Sequence, residues 1–292
     1  MRFVRSSDDP ACAFNLAVQA AMTSFQLERV APTMSTFLPV TNPVVRSFDV
    51  LGCKVHAVTA ADLTDLVERA VDSRETCIIA NHNLHSLYLY QRDSRLREFF
   101  SKAMWIHADG MGIVLLARAT GAEVDRSIRV TYVDWLPLLM ARAAEQSWRV
   151  FYLGSRPGVA DKGISILREK FPGLSITAAH GYFDPASDEN ESVLEKIRAF
   201  SPNVVLVGMG MPRQERWIID NLDRVGYAVL LPCGASIDYV AGEIPTPPRW
   251  AGRCGLEWLY RLVAEPGRLW RRYLVEPWGL LLLIGTRWLR NS

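Results

Sequence analysis

Cysteine is scarce and scattered. Cys12, Cys53, Cys77, Cys233 and Cys254 include no C-x-x-C pair, and an odd count makes no complete disulfide framework. That usage points to reduced thiols in a cytoplasmic protein and against a structural zinc site. Long apolar runs are missing as well: the longest, 278–285, is about eight residues, against the roughly 20 that cross a bilayer. The Ala-rich N-terminal stretch follows Asp8 and Asp9 and leads into no clean apolar region, so no export signal is read. Charge of one sign is lacking too, with 33 Lys and Arg against 31 Asp and Glu. A formal net charge of only +2 gives no global field for a nucleic-acid partner.

Several chemical signatures are absent. No G-x-x-x-x-G-K-[ST] occurs, which disfavours a nucleotide triphosphatase, and no G-x-S-x-G marks a hydrolase serine. His56, His82, His85, His107 and His180 show no H-E-x-x-H spacing, and the core holds no Asp-x-Asp pair, so no metal site is expected. The Gly154-Ser155-Arg156-Pro157-Gly158 and Gly208-Met209-Gly210 turns both fall short of G-x-G-x-x-G. No acid ends the strand after the first of them, so a nicotinamide-dependent oxidoreductase is a weak alternative.

What remains is a well-filled globular chain. Of its 292 residues 49% are hydrophobic, and nine Trp, nine Tyr and eleven Phe exclude a solvated coil. Residues 1–45, broken by Pro10, Pro32, Pro39 and Pro43, read as an N-terminal arm. From 46 to 244, short apolar runs at 76–80, 103–107, 148–153, 175–179, 203–207 and 228–231 alternate with helix-period segments. The latter lie at 60–71, 84–100, 133–145, 159–171, 191–200 and 212–222. This alternation predicts an α/β fold, a Rossmann-like, mostly parallel sheet flanked by helices. Ligands of such sheets bind beyond the carboxyl ends of the strands, so those loops are where chemistry is sought.

Four loops qualify. Asn81 and Asn83 follow the first run and suit either helix capping or ligand hydroxyls. Asp109 in Ala108-Asp109-Gly110 is either a general base facing the crevice or the N-cap of the next helix. The Gly154 turn exposes backbone N–H groups at a helix start, which suits a diphosphate. Arg213, Gln214 and Glu215 follow Pro212 on the first turn of a helix, an arrangement that favours a site.

Residues 245–292 differ in character. From Arg249 to Ser292 eight Arg oppose three Glu, a net of +5, and five of the nine Trp fall here. Pro266 and Pro277 predict short helices at 256–264, 267–275 and 278–290 rather than a long one. Arg261, Arg268, Arg271 and Arg272 interleave with Trp258, Tyr260, Trp270 and Tyr273. Guanidinium forks bind phosphates and Trp settles at bilayer headgroups, so a peripheral membrane contact is expected. A non-catalytic membrane-surface scaffold would need this tail alone. An apolar tail can equally pack on a second copy of the chain, so a homo-oligomer stays open.

Taken in order, these motifs form a set: Asn81-x-Asn83, Ala108-Asp109-Gly110-x-Gly112, Arg129-Val130-Thr131-x-x-Asp134, Phe151-x-Leu153-Gly154 and Gly208-x-Gly210-x-Pro212-Arg213-Gln214-Glu215. Gly234-Ala235-Ser236-x-Asp238-x-x-Ala241-Gly242, Gly255-Leu256-Glu257-Trp258-Leu259-Tyr260-Arg261-Leu262 and Glu265-Pro266-x-Arg268-Leu269-x-Arg271-Arg272-Tyr273 complete it. The series resembles the WecG/TagA/CpsF family of bacterial glycosyltransferases over about 48–275. The resemblance implies inverting, metal-independent transfer of a sugar from a UDP-sugar to an undecaprenyl-diphosphate-linked monosaccharide, for cell-surface polysaccharide or exopolysaccharide. It implies Asp109 as base and Gln214 as a site residue. It also implies that Arg261, Arg268 and Arg271, with Arg272 beside them, meet the acceptor diphosphate. Asn81, Asn83, Arg129, Asp134, Gly154, Glu215 and Asp238 are then expected to bind substrate. The chain departs from the family's common Thr at Asn81 and its common Gly at Tyr132. The donor is thus open among UDP-N-acetylmannosamine, its uronate and UDP-glucose, with residues 81–85 most similar to enzymes that add glucose.

Overall fold

The computed structural model describes residues 45–247, 251 and 256–282. The expected arm at 1–45 therefore lies almost wholly outside the described residues. The chain enters through an antiparallel hairpin, β1 (Ser47–Val50) and β2 (Cys53–His56). Six strands follow: β3 (Cys77–His82), β4 (Trp105–Ala108), β5 (Arg149–Gly154), β6 (Ser175–Ala179), β7 (Val204–Gly208) and β8 (Val229–Pro232). They form one sheet in the order β4-β3-β8-β7-β5-β6, with every neighbouring pair parallel. Strands β3, β4, β7 and β8 are buried on both faces, which is why they read as unbroken apolar runs.

Two layers of helix make that burial. Ala60–Ser73, Tyr132–Glu145 and Val159–Lys170 press Leu63, Val67, Trp135, Leu139, Ile164 and Leu167 onto one face. Ser94–Lys102, Asp188–Phe200 and Arg213–Asn221 press Phe99, Leu194, Ile197, Trp217 and Ile218 onto the other. A third apolar cluster joins the hairpin, the helix Met111–Ala119 and Leu280 of the C-terminal helix.

Three expectations need correction. The hairpin was not expected. Its turn is Leu51-Gly52 with both φ positive, and Leu in place of the usual Asn or Asp hides it. The segment 84–100 is two helices, Leu84–Tyr90 and Ser94–Lys102, because Asp93 caps the second by accepting from the Arg95 and Leu96 amides. Pro277 does not open a separate helix. After the break at Glu265 the chain stays helical from Pro266 to 282, and Arg271–Val275 is a π turn in which Glu276 N–H bonds to Arg271. The widened turn lies just ahead of Pro277, whose ring lacks the N–H that a regular helix would use there.

The strand ends meet closely. A Cβ at Gly154 would collide with the Gly208 carbonyl and lie 2.5 Å from the Tyr152 hydroxyl. Gly154 therefore serves the packing of β5 against β7. Gly154→Ala is expected to cost about 1–3 kcal/mol of stability in chemical denaturation; a variant as stable as the parent would show that the two loops can part freely.

Candidate active site

Parallel pairing sets Asn81 beside His107 and His82 beside Ala108, so the loops leaving β3 and β4 emerge together. The Asp109 amide donates to the His82 carbonyl at 2.8 Å. Its carboxylate Oδ2 accepts from the Asn81 side chain at 3.2 Å and the Asn83 side chain at 3.1 Å. Asn83 is a cap, its Oδ1 accepting from the Ser86 amide at 3.0 Å at the start of the helix Leu84–Tyr90, while its Nδ2 donates to Asp109, a contact the sequence reading did not offer. Asp109 is not a cap. Gly110, with φ of 94°, occupies the N-cap position of Met111–Ala119, and the carboxylate is left free to face the two amides.

Arg129 reaches the same ground by running alongside β4, where Ala108 and Arg129 form a parallel bridge. Its guanidinium donates to Asp134 at 2.9 Å and to Glu257 of the C-terminal segment. Asp134 is exposed and also accepts from the Thr131 hydroxyl at 3.0 Å. Asp134 thus holds Arg129 in place. Glu257, which sequence reasoning did not single out as a site residue, ties the tail to the core. Burial, with the nearby Asp134 and Asp109 charges, raises its pKa, and Arg129 works against that rise.

The β7 and β8 loops are joined by one side chain. Gln214 Oε1 accepts from the Gly210 amide at 3.2 Å and the Gly234 amide at 3.1 Å, and its Nε2 donates to Glu215 at 2.7 Å. Glu215 is buried, and its second oxygen has no hydrogen-bond partner. Burial pushes its carboxyl up to about 7, against the pull of Gln214 and of the Arg272 charge.

The four C-terminal arginines divide. Arg261 lies over the Tyr239 ring, 5.5 Å from its centre. Burial opposes its charge, but Tyr239, Tyr273, Asp109 and Glu265 outweigh that and raise its pKa. Arg272 is half-buried and feels Asp109 as well as Arg261. Arg268 is exposed and paired with Glu265, and Arg271 is exposed beside the Trp270 ring. Asp238 stands apart from the Asp109 group: burial raises its pKa, offset by Ser155 and by the charges of Arg156 and Arg268. Asp109, Asn81, Asn83, Glu215, Arg261 and Arg272 therefore share one electrostatic neighbourhood. Gly154 and Asp238 border it through the β5 and β8 loops.

Glu215 predicts a pH effect. Its folded pKa of about 7 exceeds its ordinary value of 4.5, so its stabilising contribution is full below about 4.5 and fades as pH rises through 7. Thermal melts should therefore show wild type losing stability relative to Glu215→Gln between about pH 4.5 and 7, with a constant gap above. A gap independent of pH would mean that Glu215 ionises as an ordinary surface carboxylate.

Known proteins bear on this arrangement. The family model described as glycosyl transferase WecG/TagA/CpsF matches residues 48–292. An N-acetylglucosaminyldiphosphoundecaprenol N-acetyl-beta-D-mannosaminyltransferase of Bacillus spizizenii is 30% identical over 207 residues, covering 71% of this chain and 78% of that protein. One of the same name from Bacillus subtilis is 27% identical over 212 residues, covering 73% and 80%. With a parallel sheet gathering the motif residues at its carboxyl end, the chain belongs to the WecG/TagA/CpsF family of glycosyltransferases.

Proposed function

We propose that the chain transfers a sugar, with inversion, from a UDP-sugar to a sugar carried on a lipid diphosphate. The observation that carries this reading is the Asp109 carboxylate held by two amides at the sheet's carboxyl end. An acceptor hydroxyl is a poor nucleophile, and Asp109 takes its proton as it attacks the anomeric carbon. The sugar–phosphate bond breaks, and UDP leaves with the bonding electrons. Developing charge on a diphosphate is met here by guanidinium groups, with Arg261 and Arg272 the pair that feels the Asp109 charge. No metal is assigned a role. The nicotinamide-dependent oxidoreductase reading is set aside by family membership, and the scaffold reading leaves the Asp109 arrangement without a purpose.

The donor placed first is UDP-N-acetylmannosamine, with N-acetylglucosaminyl-diphospho-lipid as acceptor, because both relatives carry those sugars in their names. The glucose expectation drawn from residues 81–85 has no counterpart in those names. Lipid access fits the C-terminal helix. Trp270, Leu274, Trp278 and Leu282 recur every four residues and are exposed, while Leu269 and Leu280 face the protein. Among the described residues no helix is long and apolar enough to span a membrane, so this stripe suits a contact lying in the headgroup plane.

Two expectations test the reading with UDP-sugars and a short-chain lipid-diphosphate sugar. Asp109→Asn should keep the wild-type melting curve and lose about a hundredfold or more in turnover; near-normal turnover removes Asp109 as base. Arg261→Gln and Arg272→Gln should each lower kcat/KM by roughly a hundredfold, whereas Arg268→Gln and Arg271→Gln, exposed in the structure, should cost about tenfold or less. Equal losses at all four would place the diphosphate elsewhere.

A further inference from the structure

Ser86, buried on the first turn of the helix Leu84–Tyr90, carries a hydroxyl with more bonds than a helix cap needs. Its Oγ accepts from the Asn83 amide at 2.8 Å, donates to the Asn83 carbonyl at 2.8 Å and lies 2.9 Å from His82 Nδ1. A hydroxyl has one proton and two lone pairs. With the proton on the Asn83 carbonyl, the second lone pair is left for a ring N–H of His82. Burial, with His107 adding to it, holds His82 down to about 3, so the ring is neutral and carries a single proton. Nε2 has no partner, so that proton belongs on Nδ1, where it is bonded. Stacking on Phe100, with centroids 3.8 Å apart, fixes the ring plane.

Residues 82 and 83 are also the pair from which Asp109 hangs. The Asp109 amide donates to the His82 carbonyl at 2.8 Å, and its Oδ2 accepts from Asn83 Nδ2 at 3.1 Å. We propose that Ser86 is a positioning residue for the base: its hydroxyl, backed by the His82 ring, locks the 82–83 turn and so sets where the Asp109 carboxylate stands. Ser86 is sealed from solvent and acts only through these neighbours. Removing the hydroxyl leaves the Ser86 amide on Asn83 Oδ1, so the helix start stays capped. What is lost is the grip on the Asn83 N–H and on the His82 ring. The turn is then free to shift, and Asp109 moves with it. A base displaced from its proton costs rate rather than binding. A capping box of the same kind opens the helix Ala60–Ser73, where Thr59 and Asp62 bond each other, and it provides the comparison. The inference rests on the transferase reading above and deepens it by naming what aims its base.

Steady-state kinetics with UDP-N-acetylmannosamine and a short-chain lipid-diphospho-N-acetylglucosamine, run beside thermal melts, compares wild type, Ser86→Ala, Ser86→Thr and Thr59→Ala. Ser86→Ala and Thr59→Ala are each expected to lower the melting temperature by about 2–4 °C. Only Ser86→Ala is expected to lower kcat, by about tenfold, with both KM values unchanged. Ser86→Thr, which keeps the hydroxyl, is expected to restore turnover. On an Asn83→Ala background, where the link to the carboxylate is already cut, Ser86→Ala is expected to cost less than about twofold more. Wild-type kcat in a folded Ser86→Ala, an equal loss in Thr59→Ala, or a loss carried by KM overturns the positioning role and leaves the transferase reading standing. Should Ser86→Ala fail to fold, nitrogen NMR of histidine-labelled wild type decides: His82 protonated at Nδ1 supports the lock, and protonation at Nε2 overturns it. If wild type forms no disaccharide lipid from UDP-N-acetylmannosamine, its uronate or UDP-glucose, the transferase reading falls and the positioning role falls with it.

Discussion

A carboxylate fixed by two side-chain amides is the constraint around which this site is organised. Asp109 Oδ2 accepts from Asn81 and Asn83, two residues on the neighbouring strand end, across a parallel pair. Parallel strands release their loops on the same edge, so consecutive βα units bring loop residues together without any local sequence signal. The strand order places β3 against β8, which in turn lies beside β7. Gln214 then bolts the β7 and β8 exits together through two backbone amides. The carboxyl end of one sheet thus supplies the Asp109 carboxylate, the amides that hold it, and the buried Glu215.

Much of this was legible from the chain. Strands buried on both faces are largely apolar, and the ends of all six parallel strands fall within two residues of the runs read from the sequence. Helices with one wet face announce themselves equally well. What stayed hidden has physical causes. The Leu51-Gly52 turn carries its left-handed backbone without the residues that usually signal it. The role of Asp109 was undecidable because a carboxylate before a helix reads as a cap, and only the positive φ of Gly110 moves it off that position. The brace from Gln214 to Gly234 spans twenty residues of sequence, beyond any local pattern.

Asn81, Asn83 and Asp134 show how the site divides its labour. Asn83 satisfies a helix end with its Oδ1 and the Asp109 carboxylate with its Nδ2. Asp134 spends its charge on Arg129, and Arg129 shares that charge with Glu257 from the tail. These ion pairs are partly exposed and individually contribute little to stability. Their value is geometric: they tie the C-terminal segment to the strand end that carries Asp109.

That tie explains the orientation of the tail. A helix bearing Arg, Trp and Leu could turn either set inward, and composition alone does not choose. Here Glu257 binds Arg129, His85 meets Glu276 at 2.5 Å, and Gly279 lets the helix lie close to the Tyr88 ring, where a Cβ would come within 2.8 Å. With those contacts made, Leu269 and Leu280 are buried and the Trp270, Leu274, Trp278, Leu282 stripe must face out. Arg261 and Arg272, on different turns, are left where each feels the Asp109 charge. The same few contacts therefore decide which cations lie near the crevice and which apolar face the helix leaves exposed.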